Sequence, residues 1–514
     1  MNSKTDTDMN RRNFLQSSTL LGGGLILPST LWSQASFQDT NPLQIPPLLT
    51  GERHGDRRHY RLDAQAGTTE FFAGIKTPTL GINGDYLGPT LRLRRGDNVT
   101  LSVNNNLQEP TTLHWHGLHV PASADGGPHQ IVEPGQAWDA QFRVDQQAGT
   151  FWYHSHLLGR TGEQVYKGLA GMLLIEDDIS NGLEIPSEYG VDDIPVILQD
   201  RNFNADGSLR YTSSPMDSML GLFGNTMLVN GTVNPRFEPR SQLVRFRFLN
   251  ASNARTYNLA FSDDREMQQL ACDGGFLENI TAMRRIELAP GERCEVLVDF
   301  SDGQPVNLIS VPMAADSPFR TTGMMGNMHT MNQLRLQIMS IIPNSNLQRS
   351  SQPARELTTL PDLDPDSADR MRQFTLSMMM GMGMMGRGRG QAGRGGMRSG
   401  MGPGFSINGK AMDMAVIDER IPVGSTEIWE ISNDSMMMHP FHIHHGQFRI
   451  VSSNGRPWPE HEQAYKDTVK VGPGQQVRVL MNFDDFADPE LPYMYHCHIL
   501  EHEDAGMMGQ FVVE

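Results

Sequence analysis

The sequence is poor in cysteine, in net positive charge and in long apolar runs, and each shortage removes a class of protein. Three cysteines in 514 residues cannot staple a disulfide-built scaffold. Lys and Arg number 42 against 59 Asp and Glu, a net charge of −17 with His neutral, which leaves no broad basic face for nucleic acid or an anionic membrane. No run of about eighteen apolar residues occurs, so no transmembrane segment is expected. Amphipathic helical periodicity is scarce as well. The 51 glycines follow no collagen period, and 38% apolar residues is too many for a disordered chain. Dividing the length by ~150 residues per domain predicts about three domains. Two abundances then stand out: 32 Met and 17 His.

The N-terminus reads as an address. Arg11-Arg12-Asn13-Phe14-Leu15-Gln16 leads a weakly apolar run, Leu20 to Leu31, and then the small residues Ser33-Gln34-Ala35-Ser36. This pattern is similar to a twin-arginine (Tat) export signal over residues 1–35, cleaved near Ala35. Export of an already folded chain suits a protein that assembles a cofactor first, and the expected location is the periplasm.

Short alternating runs separated by Gly, Pro, Asn and Asp fill the body. Val244-Arg245-Phe246-Arg247-Phe248-Leu249 and Glu295-Val296-Leu297-Val298-Asp299-Phe300 read as strands. Asn83-Gly84, Asn230-Gly231 and Asn408-Gly409 open three similar stretches, each a sandwich-sized interval from the next. The expected organisation is all-β: domains over 36–184, 185–348 and 349–514. Residues 378–401 interrupt the third with eight Met, nine Gly and four Arg, a composition that cannot bury a core of its own.

The histidines concentrate in four places: His114-Trp115-His116-Gly117, His154-Ser155-His156, His439-Pro440-Phe441-His442-Ile443-His444, and His496-Cys497-His498 followed by His502 and Met507. In a strand, a His-x-His pair sends both imidazoles to one side. Four pairs therefore offer eight imidazoles, two pairs from the first third and two from the last, which predicts a site between domains one and three. Cys497, between two such histidines, must point elsewhere. His439, His502 and Met507 are its available partners, and two His, one Cys and a weak axial Met form the trigonal blue-copper set. Zinc competes for such donors, but a closed zinc site has no use for an axial Met.

These motifs resemble the multicopper oxidase family over essentially the whole chain after the signal. The resemblance implies three cupredoxin-like Greek-key β-sandwiches holding copper as one type 1, one type 2 and two type 3 ions. Type 1 would take His439, Cys497, His502 and Met507, the interval favouring Met507 over Met508. Type 2 would take His114 and His442, and type 3 would take His116, His154, His156, His444, His496 and His498. It further implies one-electron oxidation of substrate at type 1, transfer through Cys497 and reduction of dioxygen to water. Asp125 and Glu503 occupy the positions of the family's proton-relay acids.

The substrate is a separate question, because the copper ligands do not choose it. Met436-Met437-Met438 before His439, together with the Met-rich segment, resemble the bacterial cuprous oxidase branch, in which Met378 and Met437 align with substrate-site thioethers for Cu(I). The branch's carboxylates are replaced here by Gly383 and Ser435, with Asp434 one place away, and Arg387, Arg389, Arg394 and Arg398 stand where the branch is rich in His. The expected partners are dioxygen and Cu(I) or a phenolic or metal-ion reductant, with the chain a monomer. The alternatives are a laccase-like phenol oxidase and a non-enzymatic periplasmic copper-sequestering protein. A nitrite reductase is disfavoured by the second type 3 half-site. Gly386-Arg387-Gly388-Arg389-Gly390 also looks like an RGG nucleic-acid tract, a reading excluded by export and by the lack of aromatics. Cys272 and Cys294 fit either a disulfide or two buried thiols.

Overall fold

The computed structural model describes residues 40–211, 214–315, 317–320, 334–379 and 404–514. The predicted export signal lies outside them, as do all positions of the Met-rich segment after Met379, Gly383 among them.

The three Asn-Gly steps have one structural cause. Asn83, Asn230 and Asn408 take left-handed backbone, with φ of 56°, 51° and 54°, which Asn tolerates better than most residues. Each side chain then substitutes for backbone against a neighbouring strand. Asn83 accepts from Asp63 N and donates to Arg61 O, both at 2.7 Å. Asn230 treats Ile197 N and Pro195 O the same way, at 2.8 and 2.9 Å. Asn408 repeats it with Thr375 N and Gln373 O, at 2.7 and 2.9 Å.

Around each step lies a β-sandwich, and the described residues form six sheets in three pairs. The first sandwich packs the sheet ordered Leu48–Leu49, Thr90–Arg94, Ala170–Glu176, Gly149–His154, His114–His116 against one built on Arg57–Phe72 and Asn98–Asn105. The second holds a seven-stranded sheet centred on Leu243–Asn250 and a six-stranded sheet centred on Leu336–Ile341 and Val306–Ser310. The third pairs a sheet centred on Ser425–Asn433 with one ordered Glu419–Ile421, Met508–Val513, Asp488–Cys497, His439–Ile443, Thr468–Val471. Each encloses its own apolar cluster, represented by Leu62, Leu101 and Leu173, by Phe246, Val296 and Leu308, and by Trp429, Val479 and Phe511. Burying one such large apolar side chain contributes ~1.5–3 kcal/mol. Among the described residues no helix is long and apolar enough to cross a membrane.

Two segments cross the expected limits. Asn41–Pro42 pairs in parallel with Pro235–Arg236 of the second sandwich. Glu356 bridges to Asn279, and Leu357 joins the cluster of Leu270, Phe276 and Leu297, so the start of the 349–514 stretch also lies on the second sandwich. The strand Leu243–Asn250 is buried throughout, its alternating Arg included. Val244, Phe246 and Phe248 enter the core, whereas Arg245 and Arg247 face buried acids. Arg247 bonds Asp193 at 2.7 and 2.9 Å and Glu295 at 2.9 Å. Thr150 of the first sandwich donates to that same Glu295 at 2.6 Å, which explains the burial: the polar face is an interface between sandwiches. Burial alone would raise Glu295, but Arg245 and Arg247 hold it down to about 2.

Candidate metal centre

His114–His116 is an edge strand of the first sandwich, paired antiparallel so that His114 faces His154 and His116 faces Trp152. Alternation sends Trp115 into the core and both imidazoles the other way. In the third sandwich His442 lies opposite His496, and Phe441 opposite Cys497. Phe441 and Cys497 join the third core, so the neighbouring imidazoles leave it. Rings from the two sandwiches interleave: His116 stacks on His442 with centroids 3.6 Å apart, and His114 on His444 at 3.8 Å. The site predicted between domains one and three is where those strands meet.

All eight imidazoles are brought together, and they sort into groups whose ligand atoms lie within 4.8 Å of one another. His116, His154 and His498 form one, His156, His444 and His496 another, and His114 groups with His442 and His444. Sequence spacing had placed the eight in one site without dividing them. Burial, and then in most cases neighbouring imidazoles, pushes these rings far below the usual imidazole range, to about 3 for His156 and about 4 for His442. Each is therefore a neutral ring with one proton and one lone pair.

Backbone carbonyls, which only accept, decide where four of those protons sit. His114 Nδ1 donates to Asp125 O at 2.9 Å, His154 Nδ1 to Ser155 O at 2.8 Å, His442 Nδ1 to Asp467 O at 2.8 Å and His496 Nδ1 to Cys497 O at 3.1 Å. Their Nε2 lone pairs are left for a ligand. The Nε2 atoms of His114 and His442, and both ring nitrogens of His498, are buried without a hydrogen-bond partner. Buried polar atoms normally find one, and a cation among them supplies it; outer nitrogens anchored to carbonyls are the usual second support of metal-binding histidines.

The two predicted acids lie against these rings. Asp125 Oδ2 is 2.8 Å from His444 Nδ1, while its carbonyl holds His114, so one residue touches both sandwiches. Glu503, on the short helix Leu500–Asp504, places Oε1 3.4 Å from His156 Nδ1 and Oε2 3.2 Å from His496 Nδ1. Burial raises both carboxyls well above the ordinary range, with Asp504 adding to it at Glu503. Asp467 was not foreseen. It bonds His116 Nε2 at 3.0 Å, and although burial alone would raise it, Arg293 holds it below its usual value. A lone Asp in Lys466-Asp467-Thr468 carries no spacing signal that could have found it.

Cys497 faces a second donor set. Its Sγ is 3.3 Å from His439 Nδ1 and 3.6 Å from His502 Nδ1, and the three ligand atoms form a buried group. Met507 is fully buried in the same apolar cluster as Cys497, a cluster that does not include Met508. Thiolate with two imidazoles is a soft set that suits copper better than a hard cation. Met437 belongs to that cluster and Met378 packs against it, half-buried. Cys272 and Cys294 are both free buried thiols, which settles their alternative in favour of no disulfide.

Multicopper oxidase family profiles match residues 63–180 and 389–514. The multicopper oxidase mco of Staphylococcus aureus is 37% identical over 485 residues, 93% of this chain and 94% of that one. This chain belongs to the multicopper oxidase family. The cell division protein FtsP of Escherichia coli (strain K12) is also similar, 35% identical over 508 residues, 98% of this chain and 99% of its own. Among solved structures, the laccase-like multicopper oxidase CueO of Ochrobactrum sp., described as active towards lignin model compounds and lignosulfonate, superposes with a TM-score of 0.80 at 36% identity, over 92% of this chain and all of that one. As a multicopper oxidase the chain is an oxygen-using oxidoreductase with copper cofactors, and its fold is the cupredoxin β-sandwich in triplicate.

Proposed function

We propose that this multicopper oxidase is exported to the periplasm and takes Cu(I) as its reductant in copper detoxification. In this reading His439, Cys497, His502 and Met507 hold type 1 copper, and His114 and His442 hold type 2. His116, His154 and His498 hold one type 3 ion, and His156, His444 and His496 the other. When bound, copper accepts electrons singly from the reductant and delivers them to dioxygen, which leaves as water. Asp125 lies at His444 Nδ1 and Glu503 beside His156 and His496 Nδ1, so that each carboxyl holds its proton on the side of the rings away from the metal.

One observation carries the choice of Cu(I): the Cys497 donor set is closed on its outer side. His439 and His502 are both 0% exposed. Ser435 Oγ lies 2.8 Å from His439 Nε2, Met219 O lies 3.3 Å from His502 Nε2, and Phe405 stacks on His502 at 4.3 Å. A bulky phenol needs an open imidazole edge. A cuprous ion needs only soft donors nearby, and thioethers bind it without losing a proton. Met436, three residues before His439, is 37% exposed, and the first two residues of the Met-rich segment, Met378 and Met379, end the strand Arg370–Met379. The laccase-like reading is favoured by the lignin activity of the Ochrobactrum relative.

Oxygen uptake by the copper-loaded protein, measured side by side with chelated Cu(I), Fe(II) and a phenol, tests this ranking. Cu(I) is expected to be fastest; a faster phenol would make the protein laccase-like, and no uptake with any of them would leave a sequestering protein. A second prediction concerns the insert. Met379 pairs directly with Gly404, so replacing residues 380–403 by Asn-Gly closes the hairpin with a favoured two-residue turn. Cu(I) oxidation is expected to fall while small phenols are unaffected or faster. Equal loss on both substrates would make the segment structural.

A further inference from the structure

We propose that Arg293, in the second sandwich, is a positioning residue for the histidine cluster: by clamping Asp467 it fixes His116 with Nδ1, rather than Nε2, facing the neighbouring imidazoles. The second sandwich contributes none of the eight histidines, yet Arg293 opens its strand Arg293–Asp299 directly against them. The side chain is fully buried, and all five of its N–H groups are used. Nε donates to Thr150 O at 2.9 Å, Nη1 to Gly291 O at 3.1 Å and Asp467 Oδ1 at 2.7 Å, and Nη2 to Asp273 O at 3.0 Å and Asp467 Oδ2 at 2.5 Å. Thr150 lies in the first sandwich, Gly291 and Asp273 in the second, and Asp467 in the third. One rigid planar group thus ties all three at a single point, which the compact ammonium of a lysine cannot do.

Asp467 passes this constraint to the cluster. Its Oδ1 accepts from His116 Nε2 at 3.0 Å and from Thr468 Oγ1 at 2.9 Å, and its carbonyl accepts from His442 Nδ1 at 2.8 Å and Ile443 N at 3.1 Å. A carboxylate paired with a guanidinium only accepts, so the His116 proton sits on Nε2. Its lone pair is then on Nδ1, 3.4 Å from His154 Nε2. That tautomer is the reverse of those at His114, His154, His442 and His496, whose Nδ1 atoms bond carbonyls. The backbone is fitted to the pair as well. Gly117 has φ of +86°, and a Cβ there would come 2.3 Å from Asp467 Oδ2 and 2.8 Å from Arg293 Nη2. A Cβ on Gly291, whose φ is +85°, would stand 3.1 Å from His498 Cδ2, so the second sandwich meets the cluster twice.

This inference rests on the eight histidines binding copper. The test uses the full chain loaded with Cu(II) and carrying Arg293→Gln, Arg293→Lys or Asp467→Asn. Copper per chain, the type 2 electron paramagnetic resonance signal, the blue absorption and the melting temperature of the copper-free protein are each compared with wild type. Arg293→Gln and Asp467→Asn are expected to weaken copper affinity at the cluster by ~10–100-fold, the usual cost of losing an outer partner of a ligand. Their type 2 signals should change with the blue absorption kept, and Arg293→Lys should fall between them and wild type. Full copper with an unchanged type 2 signal in both Arg293→Gln and Asp467→Asn would overturn the proposal. So would a blue absorption that falls in step with the cluster, because that marks general loosening. If Arg293→Gln does not fold, Asp467→Asn decides alone, since it leaves the Arg293 bonds to Thr150, Gly291 and Asp273 in place. A wild-type protein with no type 2 signal would sink the copper assignment instead.

Discussion

Cys497→Ser is expected to remove the intense blue absorption of a thiolate-bound copper and all oxidase turnover, with every reductant, while the protein stays folded. Burial pushes the Cys497 thiol up, so only a bound cation keeps it as the thiolate that ligates metal. A serine hydroxyl stays neutral in the same place, and the soft donor of the set is gone. The structural cost is small. Apart from its histidine neighbours, Sγ accepts one hydrogen bond, from Ile499 N at 3.5 Å, which a serine oxygen can also accept, and serine is slightly smaller, so the copper-free melting temperature should shift by no more than a ~1 kcal/mol change would cause. Turnover falls for a topological reason. Cys497 reaches His439 and His502 with its sulfur, and its two chain neighbours, His496 and His498, belong to separate groups of the other site. In the proposed assignment, loss of this residue therefore breaks the covalent link between the place where a reductant is oxidised and the place where dioxygen is reduced. A visible spectrum, copper stoichiometry and oxygen uptake check it. Blue colour retained in the variant would end the type 1 assignment of Cys497.

What the sequence made legible, and what it did not, follows from how far each residue's signal extends along the chain. The His-x-His pairs are local: a period of two fixes their direction without knowledge of any partner, and all eight rings meet. Cys497 is legible for the same reason, since alternation alone turns it away from His496 and His498 and into the third core. The Asn-Gly steps announced three similar units because each Asn repeats one local bonding pattern. Three-dimensional pairing was not accessible in this way. Nothing in the chain says that His444 groups with His156 and His496 while His498 goes with His116 and His154, because this depends on how two sandwiches face each other. Arg245 and Arg247 lie on a face that only the packing of Thr150 against Glu295 shows to be an interface. Arg293 and Asp467 are single residues 174 positions apart, with no repeat or motif to join them. The histidine chemistry was thus written in short spacings, and the frame that orients it was written in long-range contacts.

Glu503→Gln is expected to lower kcat by ~10²-fold or more, the typical contribution of a positioned proton donor, and by the same factor with Cu(I), Fe(II) or a phenol. Reduction of one dioxygen to two waters consumes four protons, and this half of the reaction is common to all reductants. Glu503 is 1% exposed, with its two oxygens 3.4 and 3.2 Å from His156 Nδ1 and His496 Nδ1, so it reaches two rings of one histidine group at once. Burial raises its pKa, which keeps a proton on the carboxyl at a pH where an exposed Glu has lost it; the positive charge of bound copper acts in the opposite direction. The sign of the pH dependence follows. In the wild type the donor works below its raised pKa, so the rate is sustained as pH climbs and declines once Glu503 ionises. In Glu503→Gln the donor is absent at every pH, so the residual rate tracks the supply of external acid and declines from the acidic end onward. A small weak acid added to the buffer should partly restore the variant and leave the wild type unchanged. Glutamine keeps the volume, and the KM for the reductant and the blue absorption should stay at wild-type values because neither depends on a carboxyl that faces the other copper site. Parallel pH profiles for the two proteins, or a loss confined to one reductant, would show that Glu503 only supports the fold of the helix that carries His502.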